Sequence, residues 1–97
     1  MNFEEERSNY WIIWTVNLDK KKSRSEGRKI PKRYAVPNVK FKELIEACKA
    51  LGLEFYAEEK KYPKSWWEEG GRVRVKKTGK KLDLMIEIAK KIAEMRR

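Results

Sequence analysis

A two-layer α+β fold is predicted for this chain, a three-stranded antiparallel sheet with two helices packed on one face, in the order βαββα. Two stretches, 39–51 and 82–95, repeat apolar residues at helical spacing. Three others, 10–18, 53–59 and 72–77, are rich in β-branched and aromatic residues or alternate apolar with charged ones. A right-handed crossover through the first helix leaves the first two strands parallel, and the third slots between them, antiparallel to both, as in a split βαβ unit.

The first strand, 10–18, holds Trp11, Ile12, Ile13, Trp14, Thr15 and Val16. Alternation puts Ile12, Trp14, Val16 and Leu18 on one face, which is expected to be the buried one. In the first helix, 39–51, the stripe is Phe41, Leu44, Ile45, Cys48 and Leu51, with Asn38 placed to cap it and Gly52 to end it in the left-handed conformation. The second strand, 53–59, sets Leu53, Phe55 and Ala57 against Glu54, Tyr56 and Glu58. The third, 72–77, alternates basic residues with Val73 and Val75. A Thr78-Gly79 turn leads to the last helix, 82–95, whose stripe is Met85, Ile88, Ala89, Ile92 and, at its edge, Met95. Residues 1–9, with Glu4, Glu5 and Glu6, read as a flexible acidic leader before a single domain over 10–97.

Composition narrows the function. The 97 residues suffice for one modest core, and eleven aromatic residues argue against disorder. A net charge of +10 predicts attraction to a polyanion, with nucleic acid preferred over an anionic membrane surface. No apolar run approaches the ~20 residues that span a bilayer, and the acidic start is no signal peptide, so a cytoplasmic protein is expected. With no histidine and one cysteine, Cys48, a Cys/His zinc site and any histidine triad are excluded, and Cys48 reads as core. No carboxylate stands in an apolar setting that would tune it for acid–base work, so the chain is read as no enzyme, with neither cofactor nor metal.

Two long loops carry the charge. From Asp19 to Tyr34 eight cations face two anions, a net +6, and no period appears. Loops of more than ~15 residues inside a small domain are usually functional or disordered. From Lys60 to Lys77 seven cations face two anions, a net +5. With strands one and two parallel, both loops leave the sheet at the same edge, so the two sources of charge converge.

Gly27-Arg28-Lys29-Ile30-Pro31, preceded by Lys21-Lys22-Ser23-Arg24-Ser25-Glu26, resembles the Gly-Arg-Arg-Ile-Pro element of the family of the 19 kDa subunit of the signal recognition particle. The run from Lys60 to Trp67 (Lys-Lys-Tyr-Pro-Lys-Ser-Trp-Trp), followed by Gly71-Arg72-Val73-Arg74-Val75, is similar to the same family, as is the opening strand ending in Trp14-Thr15-Val16-Asn17-Leu18-Asp19. The three motifs come in the right order, the resemblance runs from about Trp11 to Met95, and the short tail after the last helix favours the archaeal branch. Lys29 stands where the motif commonly has a second Arg, which removes a bidentate fork there. The resemblance implies a structural and assembly subunit, a monomer, that binds the particle RNA by clamping two adjacent helix tips, each closed by a tetraloop. It further implies that the ordered RNA then takes up the GTPase subunit that recognises signal sequences, an indirect partner. The alternative is a general basic RNA-binding or ribosomal-type protein without tetraloop specificity.

On this reading Asn17, Lys20, Lys22, Arg24, Ser25, Gly27, Arg28, Lys29, Ile30, Pro31, Lys32, Arg33 and Tyr34 form the first half of the RNA site. Lys60, Lys61, Tyr62, Lys64, Ser65, Trp67 and Arg72 form the second. Arginine suits it because its planar fork binds two acceptors and stacks on exposed bases. Gly27 is either a close approach to RNA or a plain turn, and Tyr62 either a stacking partner or a loop anchor. Ile30 and Pro31 stiffen the loop. Trp66 is assigned to packing beneath its loop, while Trp67 has both readings open. Charge repulsion and a lack of apolar anchors predict that the first loop is mobile until bound.

Overall fold

A computed structural model describes residues 9–97, so the acidic leader, Asn9 apart, lies outside the described residues. Three strands, β1 (Tyr10–Trp14), β2 (Phe55–Glu58) and β3 (Arg72–Lys76), form one sheet in the order β1-β3-β2. β3 is antiparallel to both neighbours, as the order of elements predicts. Trp14 and Glu58 both pair with Arg72, so β1 and β2 end level with each other on either side of β3 and release their loops at one end of the sheet.

The first strand is shorter than expected and its faces are reversed. Ile13 is fully buried and Trp11 packs on the core, whereas Ile12 and Trp14 lie on the outer face. Alternation stops at Trp14, because Thr15–Leu18 winds into a 3-10 turn and carries Val16 and Leu18 into the core from there. Large residues at all four of positions 11–14 give the strand no sidedness in sequence, so the extrapolated period picked the wrong face.

The helices are α1 (Phe41–Ala50) and α2 (Lys81–Met95). Asn38 is not the cap of α1: it sits at φ 52 and donates its backbone N–H to Asp19 Oδ1. The helix begins instead at Lys40, whose N–H donates to Glu43 Oε1 at 3.0 Å. Its end follows expectation. Gly52 takes φ 68, its N–H donates to the Lys49 carbonyl, and the Leu53 N–H donates to the Cys48 carbonyl, closing a Schellman motif. Both helices close one sheet face around a single core, in which Ile13, Val73 and Val75 meet Leu44, Cys48, Ile88 and Ile92. Burial pushes the Cys48 thiol up to about 12, so it stays a protonated packing group. Leu84 joins the α2 stripe, while Met95 is exposed.

Candidate nucleic-acid interface

The first loop grows out of the turn that ends β1. Asn17 is buried, with Oδ1 accepting the Trp14 N–H at 2.7 Å and Nδ2 donating to the Gly27 carbonyl at 2.8 Å. Its own carbonyl accepts the Lys29 N–H at 2.9 Å. The neck is closed by a bridge between Asp19 and Val36, with Lys20 N–H on the Val36 carbonyl and Val36 N–H on the Leu18 carbonyl. At the tip, Ser23 and Glu26 exchange bonds, and the Arg28 N–H returns to the Ser23 carbonyl. The carboxylate of Glu26 is held below its usual range by these Ser23 donors. The expected lack of apolar anchors is corrected by Ile30, which is fully buried in the core. Pro31 follows it and leads a 3-10 turn, Lys32–Tyr34.

Arg28 turns inward. Its Nε donates to the Ile30 carbonyl at 3.0 Å and its Nη1 to the Lys22 carbonyl at 2.6 Å, so this guanidinium staples the loop across itself. Gly27 adopts φ 127, and a Cβ built there would stand 3.0 Å from the Tyr62 ring. Tyr62 packs against Trp14 at 5.2 Å between ring centroids, in an edge-on pair. The two open readings thus come together: Gly27 admits Tyr62, and Tyr62 anchors one loop on the other.

Two further contacts clasp the loops. Lys22 bonds the Glu68 carboxylate, which raises the pKa of its ammonium, and Lys64 Nζ donates to the Ser25 carbonyl at 3.1 Å. Ser65 is buried beneath its turn, Pro63–Ser65, and Arg72 lies on the outer sheet face between the Glu58 carboxylate at 2.8 Å and the Trp14 ring. Asn17, Lys22, Gly27, Arg28, Ile30, Tyr62, Ser65 and Arg72 therefore hold the loops in shape.

Of the expected site residues, the polar groups presented to solvent are Lys20, Arg24, Ser25, Lys29, Lys32 and Arg33 on the first loop, and Lys60, Lys61 and Lys64 on the second. Tyr34 is half-buried under Arg33, whose guanidinium lies 4.8 Å from the ring centre and lowers the pKa of the phenol. Trp66 does not pack beneath its loop: it is 66% exposed, as is Trp67, because the turn at Pro63–Ser65 carries both rings outward. The lysines of α2 and its approach, which no motif marks in the sequence, adjoin this surface. Lys81 lies near Lys29 and Lys77, and burial together with these two charges lowers its pKa; Lys90 stands 5.3 Å over the Tyr34 ring. Only the mixed charge of the helix hinted at them. Among the described residues no cluster of carboxylates and cysteine could hold a metal ion, and no helix is long and apolar enough to cross a membrane.

Fold and surface together define a small α+β domain that offers a polyanion one basic, loop-built face. The family profile described as SRP19 protein matches residues 12–95, and the chain belongs to that family. It is 74% identical over 85 residues to the signal recognition particle 19 kDa protein of Archaeoglobus fulgidus, covering 88% of this chain and 82% of that one. Against the corresponding protein of Hyperthermus butylicus identity is 44% over 93 residues, covering 96% of this chain and 90% of the relative. Among solved structures, SRP19 in complex with the S domain of signal recognition particle RNA superposes with a TM-score of 0.77 at 48% identity, over 84% of this chain and 95% of the other. The solution structure of the A. fulgidus SRP19 gives a TM-score of 0.72 at 70% identity, over 91% of this chain and 85% of that one.

Proposed function

We propose that this chain is an RNA-binding assembly subunit of the signal recognition particle. It clamps the tips of two adjacent, tetraloop-capped helices of the particle RNA as a monomer, and the RNA so ordered takes up the GTPase subunit. The observation that carries this reading is the clasp between the two basic loops: Lys22 on Glu68, Lys64 on the Ser25 carbonyl, and Tyr62 against Gly27. A clasped pair of loops presents two sets of exposed cations at a fixed spacing, which suits two neighbouring phosphate backbones better than one flexible strand. Rigidity of this kind lowers the entropy lost on binding. The complex of a 48% identical SRP19 with the RNA S domain supports the same partner.

Binding to a two-helix RNA carrying both tetraloops tests this, with each loop then replaced in turn. Affinity is expected to fall for either replacement. Equal affinity for all variants would instead favour a general basic RNA-binding protein.

A further inference from the structure

We propose that Trp66 and Trp67 form a platform on which an unpaired base of the bound RNA stacks, so that the second loop grips a base as well as phosphates. This rests on the RNA-binding reading above. Each residue is 66% exposed, and the two rings meet edge to face, with centroids 5.9 Å apart and planes at 85°. Such a pair leaves indole faces open to solvent. The platform is held at both ends. Before it, Ser65 is buried and its N–H donates to the Tyr62 carbonyl; after it, the Glu68 N–H donates to the Ser65 carbonyl and its carboxylate is held by Lys22.

Charge selects the occupant. Lys60, Lys61 and Lys64 are exposed on the same loop, and Lys64 reaches the first loop at Ser25. A nucleotide satisfies both features, since its base offers a π-face and its phosphate an anion. Protein interface cores are depleted in lysine and rich in contiguous apolar surface, whereas here two rings share a loop with three exposed lysines, and Glu69 beside them is exposed too. A second copy would bring a net charge of +10 against a like charge.

The test uses the full chain and the two-tetraloop RNA. Trp66→Ala and Trp67→Ala are expected to weaken binding by roughly 5- to 150-fold, the range of one stacked base, with the salt dependence of affinity unchanged. RNA should quench the part of the fluorescence that W66F/W67F removes. One abasic nucleotide in a tetraloop should cause a similar loss, with no further loss when combined with the alanine variant. Alanine variants that bind like the unsubstituted chain would overturn the platform. So would losses that simply add to that of every abasic position. A concentration-dependent mass in ultracentrifugation that the variants abolish would assign the rings to a second copy and overturn it too. Failure of the unsubstituted chain to bind the RNA would instead remove the RNA-binding reading, and the platform with it.

Discussion

With its side chain buried, Asn17 satisfies the Trp14 amide and the Gly27 carbonyl at once and so joins the end of β1 to the tip of the first loop. Asn17→Ala leaves both groups without that partner in a poorly hydrated place, at a cost of about 1–3 kcal/mol each. A loss of roughly 2–6 kcal/mol is expected in urea denaturation, together with weaker RNA binding. A midpoint equal to that of the unsubstituted chain would remove Asn17 from this role. Several residues that read as RNA contacts in the sequence are of this kind. Arg28 and Lys22 have the charge that phosphate attracts, yet the carbonyls of Ile30 and Lys22 take the first, and the carboxylate of Glu68 the second. Residue type alone does not distinguish a cation that faces solvent from one that folds back.

At the scale of elements, the last helix is tied to the first. Arg96, just past α2, donates Nε and Nη2 to the two Glu43 oxygens at 2.6 and 2.7 Å, and also bonds the Pro37 and Asn38 carbonyls. The Arg96 guanidinium holds the Glu43 carboxyl below its ordinary value of 4.5, and the Lys40 N–H adds to this. The unfolded chain therefore binds more protons than the folded one below pH 4.5, so stability falls as pH drops through the depressed value and is fully present above 4.5. Arg96→Gln should flatten that acid limb in thermal melts between pH 5 and pH 3, while changing stability at pH 7 by no more than about 1 kcal/mol, since both side chains are partly exposed. An unchanged acid limb would show that the pair contributes nothing to it. Element existence and order were legible in the sequence because helical and alternating periods survive without tertiary context. The face of β1 and the start of α1 were not. Both depend on side chains, Asn17 and Asp19, that bond across 3 to 20 residues.

For the whole molecule, the convergence of two loops makes the charge local. RNA affinity is expected to fall steeply with salt, and Arg24→Ala and Lys32→Ala should each reduce the slope of log K against log salt by roughly 0.7–0.9. Both side chains are exposed. Lys22→Ala should change the slope less, because its ammonium is already neutralised by Glu68. Equal slopes for all three variants would place the RNA elsewhere, the surface of Lys29, Lys77 and Lys81 being the next to examine.

The sequence by itself determined the α+β order, the central place of β3, the excess of cations in two loops and the motifs that mark the family. These follow from periodicity, chain connectivity and composition, which need no knowledge of contacts. The tertiary structure alone decided which cations face outward, that Ile30 anchors the first loop, that Gly27 and Tyr62 join it to the second, and that Trp66 stands beside Trp67 in solvent. Those outcomes turn on single hydrogen bonds and close approaches between residues up to 46 positions apart, as between Lys22 and Glu68, and such pairings leave no period in a sequence.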